Sequence, residues 1–364
     1  MLWIWIGFIL FVLFLLALDL GVFHRKAHVV SVKEALGWSA VWISLGLAFS
    51  VFVYFGYEHH WLGLGNTPDI VDRSADFPQG KINTGHTAVL KYLTGYVVEK
   101  SLSVDNIFVI AMIFSFFAIP SLYQHRVLFW GILGALLMRG AMIGIGATLI
   151  ARFTWILYLF GGFLIYTAVQ MLRIKAHSNP SNNPVVKIVR RFFPITEHLH
   201  GEHFMVRAGS KAATEGVLPG DDADGQDTVV ANAKPGAMLL TPLALALTSV
   251  EVTDVVFAVD SIPAIFAITA DPFLVFTSNV FAILGLRSLY FALAGMMEKF
   301  RYLKISLAVV LAVVGAKMLA HAPIKAMLGE HFNLYLLAAV MLILATGVIA
   351  SIIANKRRAV AKPA

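Results

Sequence analysis

The sequence predicts an all-α membrane protein with about nine transmembrane helices, and composition is the first reason. Of the 364 residues, 59% are hydrophobic and 13% are charged. A soluble domain has about 45–50% apolar and about 25% charged residues, so a soluble core of this length would leave much apolar surface in water. The second reason is that apolar runs of bilayer-spanning length recur along the chain. Cysteine is absent, which excludes disulfides and thiolate metal sites.

The predicted spans are apolar runs of roughly 20 residues, the length that crosses a bilayer as a helix. In chain order they are 2–23, 36–56, 88–117, 127–150, 153–172, 237–268, 273–297, 303–320 and 332–353. The third and sixth spans are long and contain charged residues, so hydropathy alone would split or shorten them.

Polar segments divide the spans into units. These are two N-terminal helices (1–56), an outer loop (57–87), a first three-helix unit (88–172), a cytoplasmic segment (173–236), a second three-helix unit (237–320) and a C-terminal helix (332–353). The cytoplasmic segment is too short and too polar for an enzyme domain, and the chain has no nucleotide-binding motif. The sequence therefore predicts no enzyme activity and no bound cofactor.

Positive charge in the connecting segments predicts the orientation. With the N-terminus outside, the cytoplasmic segments hold 19 of the 28 Lys and Arg residues and the outside segments hold five. Cytoplasmic loops carry such an excess, so we expect the N-terminus outside and the C-terminus in the cytoplasm. This distribution accounts for the net charge of +7 without a nucleic-acid partner, for which the dispersed basic residues show no binding motif.

The two three-helix units repeat each other. EKSLSVDNIF at 99–108 resembles DVVFAVDSIPAIF at 254–266, and the following spans continue the match. The matched pairs are Glu99 and Asp254, Asp105 and Asp260, Asn106 and Ser261, Arg139 and Arg287, and Gln170 and Lys317. Because each unit has an odd number of helices, the second enters the membrane from the opposite side. Such inverted repeats are typical of transporters, whose sites lie at the repeat interface on broken helices; Gly95 and Pro263 are the candidate breaks.

Six acidic residues are predicted to lie inside spans, where each charge costs roughly 2.5–3.5 kcal/mol. They are Asp19, Glu99, Asp105, Glu251, Asp254 and Asp260. The candidate counter-ions are Arg139, Arg287 and Lys100, and three cations cannot neutralise six ionised carboxylates. Lys100 is the expected partner of Glu99, which would make Glu99→Gln milder than the aspartate substitutions. The excess of acids predicts sites for protons or a metal.

The ligand types indicate the class of metal. Carboxylates with the polar helpers Asn106, Ser261, Thr277 and Asn279 form an all-oxygen set. Hard or borderline divalent cations such as Mn²⁺, Mg²⁺ and Ca²⁺ prefer oxygen, whereas Cu⁺ and Cd²⁺ prefer sulfur. Each carboxylate is also a proton site, so the same residues allow metal–proton exchange. The stretch TEHLHGEH at 196–203 is either a metal-capturing segment or an ordinary solvated loop.

The chain resembles the TerC/Alx family of integral membrane proteins. The segments that carry the resemblance are LDLGVF (18–23), TGYVVEKSLSVDNIFV (94–109), VEVTDVVFAVDSIPAIFAIT (250–269) and FTSNVFAILGLRSLYF (276–291). The resemblance implies a fold related to the LysE-type transporters and a role in manganese homeostasis, namely export of Mn²⁺ across the inner (plasma) membrane; an older family label is tellurite resistance. Carried over by position, the six acids are the family's acidic positions, with Asn106, Ser261 and Asn279 nearby.

The interpretation favoured by residues and resemblance together is an exporter of a divalent metal, Mn²⁺ first, in exchange for protons. Two alternatives stay open. An exporter of small anionic solutes would grip its substrate with Arg139 and Arg287. An accessory factor for secretion or membrane assembly, or for the tellurite or redox stress response, would transport nothing and would be insensitive to the buried acids.

Overall fold

The structure is a computed structural model that describes residues 2–19, 30–72, 79–153, 155–173, 193–210, 228–293, 302–320 and 332–360. Within these ranges, the side chains of residues 105, 108, 228, 231, 260, 303, 304, 332 and 355–360 lie outside the description.

Helices make up nearly all of the regular structure in these ranges. In chain order the elements are α1 (Leu2–Leu18), α2 (Val32–Glu58), α3 (Gly85–Phe116), α4 (Ser121–Arg152), α5 (Ile156–Arg173), β1 (Met205–Arg207), α6 (Thr228–Asn232), β2 (Met238–Leu240), α7 (Pro242–Phe266), α8 (Pro272–Leu284), α9 (Leu286–Leu293), α10 (Leu303–Leu319) and α11 (Phe332–Val360). Short 3₁₀ turns lie at Trp61–Gly63 and Ile70–Asp72. The two strands form one antiparallel pair, with Val206 opposite Leu239.

Five helices among the described residues are long and apolar enough to cross a membrane, namely α2, α4, α5, α7 and Asn333–Ala354 of α11. The pair α8 and α9 makes a sixth if it is one span, since the two are bent by 41° at the break between them. Helices α1 and α10 are apolar but shorter. Helix α3 has 32 residues and carries the charged residues that were expected to weaken its hydropathy signal. The count of nine spans and the inverted repeat stay predictions.

Local signals explain where several helices begin. The Ser31 side chain accepts from the Glu34 N–H at the start of α2, and Thr84 and Thr87 form a capping box at the start of α3. Proline is the first residue of α7 and of α8. Proline has no backbone N–H, and at this position that group would have no acceptor within the helix, so nothing is lost. Asp271 completes the α8 terminus by accepting from the Phe273 and Leu274 N–H groups.

The predicted breaks at Gly95 and Pro263 are wrong. Helix α3 runs without interruption through Gly95, and α7 continues through Pro263 to Phe266. Pro263 stands one turn before the end of its helix, where a lost backbone hydrogen bond disturbs little further structure. The observed break is at Gly285, where a Cβ would lie 2.8 Å from Lys100 Nζ and 3.0 Å from Trp42 Cβ. Close approach of three helices thus coincides with the bend.

Helix α3 lies inside the bundle and packs against α2, α7, α8 and α11. Helix α3 packs on α8 as α4 packs on α7, and α5 packs on α10. The predicted repeat maps α3, α4 and α5 onto α7, α8 and α10, so the α3–α8 and α4–α7 contacts correspond to each other under that mapping. The α5–α10 contact is close: a Cβ at Gly315 would lie 2.9 Å from the Gly161 carbonyl oxygen. Outward faces expose large apolar side chains, including Leu10, Leu137 and Leu342, as lipid-facing helices do.

Candidate functional site

Arg139 is the centre of a buried polar cluster between α3, α4, α7 and α8. Its Nε and Nη2 donate to the two carboxylate oxygens of Asp254 on α7, at 3.2 and 3.0 Å. Its Nη1 donates to Glu99 on α3, to Ser261 Oγ at 3.1 Å and to Asn279 Oδ1 at 3.4 Å. One guanidinium therefore binds both members of the first acid pair in the predicted repeat.

Hydrogen bonding in this cluster is incomplete among the described residues. Glu99 and Asn279 are buried, yet Glu99 Oε2 and Asn279 Nδ2 have no hydrogen-bond partner there. Buried polar atoms usually have a partner, because leaving one unmade costs about 1–3 kcal/mol. The cluster thus has an acceptor and a donor available for a proton, a water molecule or a bound ion.

Asp254 is the more accessible of the two acids. Its side chain is 13% exposed, whereas that of Glu99 is 0% exposed. Asp254 lines a cavity of about 20 Å³ together with Asn106 and Thr253, and the remaining walls are apolar. A cavity of this size has room for about one water molecule. The cavity lies between α3, α4, α7 and α9. From Asp254 it extends toward Val250 on α7 and Leu128 on α4, that is, toward the ends where these two helices begin.

Glu251 lies one turn before Asp254 on α7 and is partly buried. Its carboxylate lies against Gly134 of α4, in space that a Cβ at that position would occupy. The absence of a side chain at Gly134 therefore makes room for Glu251. Glu251 and Asp254 are close enough to interact electrostatically, as their spacing of three residues on one helix predicts.

The remaining predicted charges are arranged differently from the sequence expectation. Asp19 pairs with Arg287 at 2.8 Å, so the two arginines matched by the repeat have different partners. The expected pairing of Lys100 with Glu99 is wrong: Lys100 Nζ donates to the Ala282 carbonyl oxygen at 2.9 Å. Consecutive residues on a helix point about 100° apart, so adjacency in sequence does not produce contact.

The two aspartates that the repeat pairs, Asp105 and Asp260, lie on α3 and α7. Their side chains lie outside the described residues, and their place in the site stays a prediction. Thr277, proposed as a polar helper, donates to the Phe273 carbonyl oxygen of its own helix at 2.7 Å.

A second buried ionic cluster was not predicted. Lys91 near the start of α3 is fully buried and donates to Asp69 at 2.7 Å, to Asp72 at 2.6 Å and to Asn83 Oδ1 at 2.6 Å. Asp69 also accepts from the Thr269 hydroxyl and from the Ala270 N–H. We call these residues the outer cluster, because it ties the predicted outer loop to α3 and to the α7–α8 connection. A lysine inside the apolar run 88–117 was the signal in the sequence.

Electrostatics in the outer cluster favours the ionised form of Asp69. Burial alone would raise the pKa of Asp69, but the Lys91 ammonium and hydrogen bonds from Lys91, Thr269 and Ala270 outweigh it and lower the pKa to about 2. Asp271 nearby shows the opposite balance. Burial raises the pKa of Asp271, although Tyr57 donates a hydrogen bond to it at 2.8 Å.

The His-rich stretch 196–203 gains no support as a metal site. Among the residues that the structure describes, no group of three or more His, Asp or Glu side chains is placed to hold a metal ion. Glu202 instead pairs with Arg126 of α4 at 2.8 Å. Leu199 and Phe204 pack against the apolar cluster that contains Leu128 and Val250, so this segment covers the end of the bundle nearest the cavity.

Comparisons with known proteins give consistent matches. The model of the integral membrane protein TerC family matches residues 84–359. A Myxococcus xanthus protein known only as an uncharacterized membrane protein is 48% identical over 86% of this chain and 82% of its own length. Two further relatives are named as the candidate membrane-bound redox modulator Alx. The protein from Photorhabdus laumondii is 40% identical over 98% of this chain and 96% of its own length. The protein from Escherichia coli K12 is 42% identical over 91% of both chains. No solved structure matches the chain significantly.

Proposed function

We propose that this chain, which belongs to the TerC family of integral membrane proteins, exports a divalent metal cation and exchanges it for protons. Mn²⁺ is the first candidate substrate. The observation that carries the proposal is the buried Glu99–Arg139–Asp254 cluster, because it brings acids from both predicted repeat units together beside a cavity. We place the protein in the inner (plasma) membrane, with the N-terminus outside and the C-terminus in the cytoplasm.

The donor set around the cluster suits a hard or borderline cation. Carboxylates of Glu99 and Asp254 lie with the side-chain oxygens of Ser261 and Asn279 around one guanidinium, and Asn106 faces the adjoining cavity. Oxygen ligands of this kind are preferred by Mn²⁺, Mg²⁺ and Ca²⁺. We assign Glu251 to the approach to the site, and we expect Asp105 and Asp260 to add ligands from α3 and α7. Asp105→Asn and Asp260→Asn should each sharply reduce efflux.

The position of the cavity supports export. Asp254 meets the cavity on the side toward the end of the bundle covered by residues 193–210, which the charge distribution predicts to be cytoplasmic. The opposite end is tied together by the outer cluster, where Lys91 is fully buried. A cation from the cytoplasm would therefore meet Asp254 before Glu99. Protons arriving later from outside would reload the carboxylates, as alternating access requires.

Arginine geometry argues against the anion exporter. All three nitrogens of the Arg139 guanidinium donate to protein acceptors, two of which are carboxylates. An anionic substrate would have to replace these carboxylates, and it would lie beside two negative charges after doing so.

The name of the Alx relatives suggests a redox role, which we treat as an indirect one. This chain has no cysteine, so it has no thiol chemistry of its own. Control of a redox-active metal such as Mn²⁺ would connect transport with such a phenotype. An accessory factor without transport predicts instead that the phenotype ignores Glu99 and Asp254.

Metal binding by the purified protein tests the proposal. We expect the wild-type protein in detergent to bind Mn²⁺ in equilibrium dialysis with elemental analysis, and Asp254→Asn and Glu99→Gln to weaken binding at least tenfold. Glu202→Gln is the matched control, because Glu202 is an acid paired with an arginine outside the cluster and should leave binding unchanged. Wild-type protein that retains no more Mn²⁺ than the double variant Glu99→Gln/Asp254→Asn would contradict the proposal.

A further inference from the structure

We infer that Arg139 is a built-in competitor of the transported cation: its guanidinium occupies the carboxylates that the metal needs, so that loading displaces Arg139 and its return drives release. The inference rests on the proposed function and adds to it a residue that limits affinity so that the metal can leave.

The hydrogen bonds show why the two occupants exclude each other. Both oxygens of Asp254 accept from Arg139, at 3.0 and 3.2 Å, and Glu99 Oε1 accepts from Nη1. Of the four carboxylate oxygens, only Glu99 Oε2 is without a partner among the described residues. A metal ligand oxygen lies about 2.0–2.6 Å from the ion. Both oxygens of Asp254 face the guanidinium, so an ion held by both of them takes the place of Nε and Nη2.

Charge leads to the same conclusion. The two carboxylates of Glu99 and Asp254 carry two negative charges. One divalent cation neutralises both, whereas one guanidinium leaves one negative charge over. A guanidinium and a divalent cation bound to the same carboxylate of Asp254 would lie next to each other in a buried site, where repulsion between the two positive groups is strong. Exchange is therefore electrostatically favoured over joint occupancy.

The surroundings of Arg139 allow it to leave one acid without losing all its hydrogen bonds. Nη1 already donates to Ser261 Oγ and Asn279 Oδ1, which are neutral acceptors. Asp254 faces the cavity, whereas Glu99 is fully enclosed. We therefore expect the cation to displace Arg139 first from Asp254, while Ser261 and Asn279 keep the guanidinium in the cluster.

A purely structural Arg139 predicts a result of the opposite sign. If Arg139 only held the acids in position, its removal would misplace them and weaken metal binding. If it competes, Arg139→Gln should bind Mn²⁺ at least tenfold more tightly than wild type, and transport should fall because release slows. Glutamine retains a donor for Ser261 or Asn279 but carries no charge.

Lys100→Gln is the matched control for charge alone. Lys100 is a cation on α3 next to Glu99 in sequence, but it donates to the Ala282 carbonyl oxygen, and glutamine can keep that hydrogen bond. Loss of any nearby positive charge raises cation affinity somewhat through long-range electrostatics. Competition predicts a clearly larger increase for Arg139→Gln than for Lys100→Gln, and equal increases would overturn the inference.

The experiment measures Mn²⁺ dissociation constants for wild type, Arg139→Gln, Arg139→Lys and Lys100→Gln, with Mn²⁺ flux in proteoliposomes. Arg139→Lys guards against misfolding, because it keeps the charge but cannot bind both oxygens of Asp254, and it should bind Mn²⁺ more tightly than wild type. Weaker binding by Arg139→Lys than by wild type would overturn the inference even if Arg139→Gln does not fold. Failure of wild type to bind Mn²⁺ at all would instead overturn the proposed function.

Discussion

At the scale of single residues, the partner of Glu99 decides what a substitution there should do. Glu99 is fully buried and its described ion pair is with Arg139, which also binds Asp254. Lys100 contacts a backbone carbonyl instead. Glu99 and Asp254 therefore belong to the same ionic cluster around Arg139. The expectation of a mild effect at Glu99 depended on a pairing with Lys100, which the structure does not show.

We expect Glu99→Gln to reduce Mn²⁺ efflux from cells as strongly as Asp254→Asn, by at least tenfold, because either change removes one of the two carboxylates on Arg139. Lys100→Gln should leave efflux within about a factor of three of wild type. Intracellular manganese after loading and washout, at matched membrane expression, gives the measurement. Near-normal efflux by Glu99→Gln with failure of Lys100→Gln would restore the Glu99–Lys100 pairing.

The candidate acids could be identified from the sequence because a charge inside an apolar run is conspicuous. Their partners could not. Arg139 is 40 residues from Glu99 and 115 from Asp254, and the rotation of each helix decides which side chains meet. The repeat suggested equivalent roles for Arg139 and Arg287, but Arg287 follows the bend at Gly285 and pairs with Asp19, the residue after α1.

At the scale of elements, the outer cluster holds three segments together through one buried lysine. Lys91 binds Asp69 just before the second 3₁₀ turn, Asp72 within that turn and Asn83 before α3. Asp69 also binds the α7–α8 connection. Buried ion pairs are sensitive to removal of one partner, because the remaining charges stay buried without compensation.

Lys91→Met should lower the free energy of unfolding by about 3–5 kcal/mol, since it removes the buried ammonium that binds both Asp69 and Asp72. The triple variant Lys91→Met/Asp69→Asn/Asp72→Asn removes all three charges and should be less destabilised than Lys91→Met. Unfolding of detergent-purified protein measures the difference, with Lys33→Met as the exposed-lysine control. A single variant as stable as the control would show that the outer cluster contributes little.

The pKa of Asp69 sets a pH window for this stabilisation. A carboxyl whose pKa falls from about 3.9 in the unfolded chain to about 2 in the folded protein stabilises the fold above about pH 4, and this contribution is lost as pH falls toward 2. The contribution at neutral pH is roughly 2–3 kcal/mol. Asp271, with a raised pKa, acts in the opposite direction: its contribution is present below about pH 4 and is lost as pH rises.

We therefore expect Asp69→Asn to flatten the loss of stability between pH 4 and pH 2 and to leave the slope between pH 7 and pH 5 unchanged. Asp271→Asn should change the pH dependence in the opposite sense, and asparagine retains an oxygen for the α8 cap. Unfolding curves of the three proteins across this range provide the comparison. If wild type and Asp69→Asn lost the same stability between pH 4 and pH 2, ionised Asp69 would not be the source of the stabilisation.

The predicted spans 36–56 and 88–117 begin inside α2 and α3, because hydropathy does not register the polar first turns that Ser31 and Thr84 cap. The position of the helix break was also missed, because the effect of a glycine depends on the residues packed around it. Gly95 lies where Ser278 approaches, with a Cβ expected 3.0 Å from Ser278 Oγ, and there it allows close packing without a bend. At Gly285 the same residue type lies between Lys100 and Trp42 and coincides with a bend of 41°.

At the scale of the whole molecule, orientation is the prediction on which export depends. The charge distribution predicts that residues 57–87 lie outside and that the segment 173–236 and the C-terminus lie inside. The structure adds that the cavity beside Asp254 and the outer cluster lie toward opposite ends of the bundle.

Fusions to a reporter that is active only in the cytoplasm test this orientation. We expect activity for fusions within 173–236 and at the C-terminus, and none for fusions within 57–87. A reporter active within 57–87 would reverse the direction in which the cavity faces and would remove the argument for export.

Flux of Mn²⁺ from loaded proteoliposomes, with the membrane potential clamped by valinomycin and potassium, tests the central claim most directly. Metal binding to carboxylates releases protons, so a gradient that brings protons to the release side should accelerate efflux and the reversed gradient should slow it. Asp254→Asn liposomes should show only the leak of protein-free liposomes. Flux at that leak rate for the wild-type protein would contradict transport, and flux that ignores the proton gradient in both directions would contradict exchange.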